Sequence, residues 1–127
     1  MTTLADLAKK TKVTEEIWMT TRRKDGSRAS IPNWFVHDGD RLYILSSESS
    51  TEIWDVKADP NVHVAIGTPD SDDQLDATGE IMTDPSWIPM MVEMLQKKYG
   101  ARYKERVGRI AEVASAGHVI IKLKPVP

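Results

Sequence analysis

The stretch SIPNWFVHDGDRLYIL, Ser30–Leu45, joins a clear hairpin signal to a residue that interrupts strands. It ends in a β-rich run, Arg41–Leu45, and the Asp38-Gly39 pair ahead of that run is a strong hairpin-turn signal. Its first half should form the partner strand, yet it contains Pro32, which has no backbone N–H to give to a strand ladder. The sequence therefore predicts a β-hairpin with a break in one arm.

Composition limits the kinds of protein to consider. The chain has 127 residues, of which 40% are hydrophobic and 28% charged, and this predicts one globular domain over residues 1–127. A formal net charge of −2 and a single phenylalanine argue against a nucleic-acid-binding barrel, which needs a basic groove and a stacking platform. The absence of cysteine excludes disulfides, thiolate–metal sites and a cysteine nucleophile, and favours a cytoplasmic location. No secretory signal and no membrane span of roughly 20 apolar residues is found, so no membrane partner is expected.

Hydrophobic periodicity predicts six short strands, mostly in hairpin order, and hence a mainly β (α+β) fold. The predicted strands cover Glu16–Arg22, Arg28–Val36, Arg41–Ser46, 61–67, 75–84 and 118–126. Predicted helices, the second of them capped by serines and Thr51, cover Thr2–Lys10, Ile53–Ala58, 85–99 and Ala101–Val113. A small antiparallel barrel would remove exposed strand edges, and the helices would plug or flank it.

Motifs for side-chain catalysis are absent. The chain has no G-x-S-x-G elbow, P-loop, G-x-G-x-x-G turn or H-E-x-x-H helix. His37 is expected in the hairpin turn, His63 on the outer face of a strand and His118 at the start of the last strand. No two of these histidines share metal-ligand spacing, so no metal site is predicted. The acidic residues interpreted as a solvated loop are Asp70, Asp72, Asp73 and Asp76.

The order of motifs from Thr20 to Gly67 resembles the pyridoxamine 5′-phosphate oxidase-like superfamily of split-barrel flavin and deazaflavin proteins. The segment reads TTRRKDGSRASIPNWFVHDGDRLYILSSESSTEIWDVKADPNVHVAIG. It contains, in order, a threonine-rich strand, a D-G turn, a Pro-x-Trp-Phe strand, a D-G-x-L-Y hairpin, a serine-rich loop, a helix and a D-P-N-V run. LDATGEI and LQKKYG are similar to the deazaflavin-type branch, so the resemblance extends to Gly100.

The resemblance implies a six-stranded antiparallel split β-barrel with flanking helices, which forms a homodimer with a cofactor groove at the interface. It implies a flavin- or deazaflavin-dependent oxidoreductase that uses FMN or coenzyme F-420 for hydride transfer to a small organic substrate. Pro32 would then leave a backbone wall open to the ligand; the alternative is an edge strand or β-bulge without a ligand role. The expected cofactor-binding residues are Ser30, Ile31, Pro32, Asn33, Trp34, Ser46, Ser47, Ser50, Thr51 and Lys57. The residues of a second subunit expected to close the substrate side are Trp87, Lys98, Tyr99 and Arg102.

One residue departs from the family pattern. Relatives usually have a lysine eight residues before the proline of their N-P-x-V run, and Glu52 occupies that position here. A carboxylate repels a phosphate, so Arg22, Arg23, Arg28 and Lys57 would have to supply positive charge. The alternative function is therefore a non-enzymatic protein of the same fold that binds a flavin, haem or another aromatic ligand.

Overall fold

The computed structural model describes residues 15–23, 25–113 and 117–126, which form one antiparallel sheet flanked by helices. Its strands are β1 Ile17–Arg22, β2 Arg28–Asn33, β3 Val36–Asp38, β4 Arg41–Ser47, β5 Asn61–Ile66, β6 Gln74–Met82 and β7 His118–Pro125. Its helices are α1 Thr51–Ala58, α2 Ile88–Tyr99 and α3 Lys104–Val113, with a 3₁₀ turn at Pro85–Trp87. The helix predicted over Thr2–Lys10 lies outside the described residues. Within those residues no helix is long and apolar enough to cross a membrane.

The sheet curls back on itself. Its strand order is β2-β1-β5-β6-β7-β4-β3, and every neighbouring pair is antiparallel. β2 and β3 form the two edges, yet only Trp34 and Phe35 separate them along the chain. Three Cα–Cα steps span at most about 11 Å, so the two edges must approach each other at this link. The result is a partly open barrel, and the predicted fold class is confirmed.

The strand predicted over Arg28–Val36 is two strands, which makes seven described strands instead of the predicted six. β2 pairs with β1 and β3 pairs with β4, so the hairpin expected between Arg28–Val36 and β4 is wrong except at Val36. The pairing changes because the two link residues are bound by helix α2 instead of a neighbouring strand. Pro32 belongs to β2 and lies opposite Trp18 of β1. β2 is an edge strand of the described sheet, where a missing N–H is tolerated.

The β3–β4 hairpin turns where the sequence predicts. Asp38 pairs with Arg41, so Gly39 and Asp40 form a two-residue loop. Gly39 has φ 62°, which a tight hairpin turn favours at its first central position and which glycine adopts without strain. His37 is part of β3, so its expected position in the turn is wrong.

Two clusters of buried side chains form the core. The first joins alternate residues of the sheet to Ile53 and Val56 of α1. The second packs α2 and α3 against β3 and β7, through Val36, Ile88, Met91, Leu95, Tyr99, Val107 and Ile120. The helices therefore lie over the sheet next to the strand break, where they can contact the link.

Two helix starts differ from the prediction. α1 begins at Thr51 instead of Ile53, and the expected serine cap is wrong. Ser50 occupies the N-cap position without a side-chain cap hydrogen bond, because its hydroxyl lies 2.9 Å from the Ser46 hydroxyl instead. α3 begins at Lys104, three residues later than predicted, after a turn.

Candidate functional site

The link between β2 and β3 is held by a tyrosine of α2. The Tyr99 hydroxyl accepts a hydrogen bond from Phe35 N at 3.0 Å. Its own proton is shared between Phe35 O at 2.9 Å and Glu15 O at 2.8 Å. Burial raises the pKa of Tyr99, so the hydroxyl stays protonated and able to donate. These bonds replace the strand ladder that breaks at the link, and they orient the neighbouring Trp34.

Lys98 binds the same link from the preceding position of α2. Its Nζ donates to Phe35 O at 3.0 Å and lies 3.4 Å from the centre of the Phe35 ring. Burial lowers the pKa of Lys98 to about 8, and the charge of Glu15 acts in the opposite direction. The carbonyl and the ring face of Phe35 both stabilise the ammonium form of Lys98, which limits the fall in its pKa.

We expect stability to rise between about pH 8 and pH 9.5 because of Lys98. In this window the unfolded chain, whose lysine pKa is about 10.4, binds a proton that the folded chain has released. The free energy of unfolding should increase by only about 1 kcal/mol, because solvent screens the charge of this half-buried side chain. Urea denaturation of the wild type and of Lys98→Met across the same pH values would test this, because the variant should lose the slope. Equal slopes would contradict the lowered pKa.

Trp34 is the centre of an aromatic cluster. Its ring stacks on Tyr99 with centroids 4.2 Å apart and an interplanar angle of 3°, and it meets the Tyr103 ring at 5.1 Å. The Arg106 guanidinium lies 4.1 Å from its ring centre, a cation–π contact. The helical region therefore packs against Trp34, although the side chain is only half-buried.

A pocket of about 220 Å³ opens beside this cluster, and we call it the Trp34 pocket. Its apolar lining consists of Pro32, Trp34, Leu45, Leu95 and Ile110. Its polar lining consists of Asn33, Ser47, Arg106 and His118. An apolar wall with a few polar groups and one cation suits a planar aromatic molecule that carries negative charge.

The serine-rich loop before α1 is closed by its own hydrogen bonds. The Ser46 hydroxyl donates to Glu52 Oε1 at 2.5 Å, and the hydroxyls of Ser47 and Ser49 are 3.1 Å apart. Glu52 is only 7% exposed, and its Oε2 has no hydrogen-bond partner among the described residues. A buried carboxylate oxygen without a partner is unfavourable. Glu52 thus lies beneath the loop, where its charge opposes an anion.

Four of the ten expected cofactor residues line the Trp34 pocket, namely Pro32, Asn33, Trp34 and Ser47. The six that do not line it are Ser30, Ile31, Ser46, Ser50, Thr51 and Lys57. Ser30 and Ile31 lie earlier on β2, and Thr51 and Lys57 are exposed on α1. A role for these six residues stays a prediction.

The arginines expected to offset Glu52 lie elsewhere. Arg23 Nε is 3.9 Å from Asp55 Oδ2, and the same carboxylate oxygen accepts a hydrogen bond from Thr21. Arg22 and Arg28 line a different pocket. Among the described residues that line the Trp34 pocket, the positive charge comes from Arg106.

Sequence reasoning missed Arg106 and His118 as pocket residues. Each is more than 70 positions from Trp34 in the chain, and only folding brings them together. The spacing of Tyr103 and Arg106 could have indicated that Arg106 faces the aromatic cluster, because residues three apart in a helical segment share one face.

The helix residues expected to act from a second subunit have partners in their own chain. Lys98 and Tyr99 hold the β2–β3 link, and Arg102 pairs with Glu15. Trp87 is exposed. Closure of the substrate side by these residues stays a prediction.

One residue of the predicted acidic loop belongs to a strand and pairs with a histidine. Asp76 belongs to β6 and pairs with His63, so its assignment to the acidic loop is wrong; strand alternation continues through it. Among the described side chains no group of three histidine, aspartate or glutamate residues could hold a metal ion.

A sheet that curls and splits at one strand break, with a pocket at the break, defines the chain as a split-barrel protein. The family model described as Pyridoxamine 5'-phosphate oxidase matches residues 13–126. The chain therefore belongs to the pyridoxamine 5′-phosphate oxidase family, and the resemblance drawn from motif order is confirmed.

Solved structures share this fold at low sequence identity. The conserved hypothetical protein Rv2991 from Mycobacterium tuberculosis has a TM-score of 0.81 at 14% identity, over 100% of this chain and 82% of that one. The heme storage protein HutZ from Vibrio cholerae has a TM-score of 0.70 at 13% identity, over 100% and 92%. A structure described as F420 Reductase has a TM-score of 0.57 at 22% identity, over 91% of each chain. No curated protein matches the sequence.

Proposed function

We propose that the chain is an oxidoreductase that binds FMN or a deazaflavin in the Trp34 pocket and supports hydride transfer to a small organic substrate. The observation that supports it best is the convergence of Pro32, Asn33, Trp34 and Ser47 with Arg106 on one pocket. The first four follow the family pattern, and Arg106 adds a cation. Membership of the family and the likeness to an F420 reductase are consistent with this reaction class.

The pocket residues fit a ring system with an anionic tail. Trp34 and Leu45 offer apolar surface to a planar ring, whereas Asn33 and Ser47 offer polar groups to its edge. The forked guanidinium of Arg106 suits a phosphate or carboxylate oxygen pair. A bound flavin or deazaflavin supplies the hydride chemistry itself. The chain would bind it, orient it and exclude water, which agrees with the lack of a catalytic motif.

The proposed enzyme is a homodimer whose second subunit completes the groove. A pocket of about 220 Å³ is smaller than the roughly 300–1,000 Å³ of sites that enclose small ligands. Trp87 and Met90 are 41% and 47% exposed and offer apolar surface for subunit contact. A cytoplasmic location stays a prediction.

We expect light scattering at micromolar concentration to give the mass of a dimer. A shared groove requires a stable interface, which buries more than about 1,000 Å² in total. A monomeric mass together with full cofactor affinity would contradict the shared groove.

The most direct test is a titration of the apo-protein with FMN, the deazaflavin coenzyme, riboflavin and haem, followed by absorbance and fluorescence. Tight binding of FMN or the deazaflavin, and reduction of that bound cofactor by a hydride donor, would support the oxidoreductase. Binding of none of these molecules would contradict both proposed functions.

Arg106→Gln should weaken FMN binding by about tenfold or more, because it removes a charge-assisted contact while keeping most of the side chain. Arg109→Gln is the matched control, since Arg109 is also exposed on α3 and does not line the pocket. Riboflavin, which has no phosphate, should respond much less to either change. Equal losses for the two variants would show that Arg106 does not face the ligand.

Glu52→Gln should tighten FMN binding by roughly threefold to tenfold, because it removes a negative charge beneath the loop. The neutral amide keeps the size of the side chain, whereas a lysine at this buried position would bury an unpaired charge. Titration at two salt concentrations measures the effect, and riboflavin is again the control. An equal gain for riboflavin would contradict an electrostatic cause.

A second candidate function is the binding of haem or another planar aromatic molecule without catalysis. Glu52 favours it, because the unpartnered Oε2 beneath the loop disfavours a phosphate. His118 also lines the pocket, and imidazole is a common iron ligand in haem proteins. The likeness to a heme storage protein is consistent with it. A Soret band that is lost in His118→Ala, without any affinity for FMN, would favour this function over the oxidoreductase.

A further inference from the structure

We propose that the chain has a second small-molecule site, for a phosphate monoester, on the outer face of β1, β2, β5 and β6. A pocket of about 510 Å³ lies there, and it shares no lining residue with the Trp34 pocket. We call it the arginine pocket, and its polar lining includes Thr20, Arg22, Arg28, Asn61, His63 and Asp76. Its size is within the range of sites that enclose small ligands.

Two arginines are directly opposed in this pocket. Arg22 and Arg28 are partners in the β1–β2 ladder, so their side chains leave the same face with Cβ atoms about 4.5–5.5 Å apart. Both are exposed, and among the described residues neither guanidinium has a hydrogen bond or an ion pair. Like charges directly opposed across two strands are unfavourable. A phosphate between the two guanidiniums would remove this repulsion and accept hydrogen bonds from both.

The imidazole of His63 faces the same pocket. His63 Nδ1 lies 2.9 Å from Asp76 Oδ1, and His63 Nε2 lies 2.6 Å from Gln74 Oε1. The hydrogen bond with Asp76 raises the pKa of His63, Gln74 adds to this rise, and the charge of Arg28 opposes it. Arg28 is therefore within electrostatic reach of the imidazole, which is held in place from both sides.

The remaining polar groups indicate the rest of the ligand. Asp59 Oδ1 accepts hydrogen bonds from Asn61 N and Nδ2, both at 3.0 Å, and Asp59 and Asp76 also line the pocket. Carboxylates disfavour a second anionic group but accept hydrogen bonds from hydroxyls. The arginines belong to β1 and β2, whereas Asp76 belongs to β6, on the far side of β5. The pocket therefore suits a phosphate beside β1 and β2 and hydroxyl groups beside β6, as in a phosphorylated polyol.

The test is a titration of the full chain with glycerol 3-phosphate, inorganic phosphate and glycerol, followed by calorimetry and by amide NMR signals of Asn61 and His63. We expect glycerol 3-phosphate to bind more tightly than inorganic phosphate, and glycerol not to bind. Arg22→Gln and Arg28→Gln should each reduce the affinity by about tenfold or more. Both variants should melt no lower than the wild type in phosphate-free buffer, because each removes one of two like charges.

Arg106→Gln distinguishes this site from the Trp34 pocket. It should leave glycerol 3-phosphate affinity unchanged, so a loss only in this variant would assign the phosphate to the Trp34 pocket and overturn the proposal. Absence of binding in the wild type, or equal affinities of the wild type and both arginine-pocket variants, would also overturn it. A change of oligomeric state in Arg22→Gln or Arg28→Gln would instead show a subunit interface at this face. None of these readings requires flavin binding, so the two proposals can fail separately.

Discussion

Tyr99→Phe is expected to lower the free energy of unfolding by about 2–4 kcal/mol, although it removes a single oxygen. The Tyr99 hydroxyl is the hydrogen-bond acceptor of Phe35 N and shares its proton with the carbonyls of Phe35 and Glu15. A buried polar group left without a partner costs about 1–3 kcal/mol. Lys98 still donates to Phe35 O in the variant, so Phe35 N and Glu15 O account for the loss. Urea denaturation would measure it.

Tyr43→Phe is the matched control. Tyr43 is half-buried on β4, and its hydroxyl makes no hydrogen bond within the described part of the chain. We expect its substitution to change stability by no more than about 0.5 kcal/mol. Tyr99→Phe should also weaken ligand binding in the Trp34 pocket, since Trp34 stacks on the Tyr99 ring and follows the link that the hydroxyl holds. Equal stabilities of the two variants would mean that the link does not depend on this hydroxyl.

Gly79→Ala is expected to destabilise the protein by about 1–3 kcal/mol, because α1 crosses β6 at this glycine. A Cβ on Gly79 would lie 2.9 Å from Val56 Cγ1, which is closer than van der Waals contact allows. Val56 is β-branched and buried, so it cannot rotate away without strain. The same helix carries Glu52, so a displaced α1 should alter the serine-rich loop as well as stability.

A double-mutant cycle tests the cause. If the clash with Val56 is responsible, the double variant Val56→Ala/Gly79→Ala should lose less stability than the sum of the two single losses, by about 1 kcal/mol or more. The reason is that the new methyl group fills the space that Val56 vacates. Gly108→Ala is the control, since nothing lies within 4 Å of a Cβ there and the residue is in α3. It should stabilise the protein by about 0.5–1 kcal/mol. Additive effects of the first pair would contradict the steric explanation.

Much of the fold could be read from local pattern. Alternation in β1 places Ile17 and Met19 in the core, and alternation in β5 does the same for Val62 and Val64. Helical spacing predicts Ile88, Val92, Leu95 and Tyr99 as the buried face of α2. The structure buries Met91 in addition and leaves Val92 only partly buried. These features depend on residues two to four positions apart, so the sequence contains the whole signal.

The candidate site was only partly predictable. Pro32 and Trp34 could be found because a ladder-breaking residue beside an aromatic pair is unusual in a strand, and the motif order indicated a ligand there. Arg106 and His118 could not, because each reaches the Trp34 pocket from an element far along the chain. Glu52 could be recognised as a departure from the family, but its burial under the loop could not.

Local sequence patterns were enough to locate most strands and helices, the tight turn at Gly39 and the family, because periodicity, turn chemistry and motif order are local properties. Two features required the packing of the complete chain: β2 and β3 become opposite edges of one sheet, and Tyr99 binds the link between them. These outcomes depend on strand partners and on long-range contacts such as those of the Tyr99 hydroxyl with Phe35 and Glu15, which are 64 and 84 residues away along the chain. Whether such a contact forms is decided by how all the elements pack together, since each segment alone exposes the same hydrogen-bonding groups to many partners.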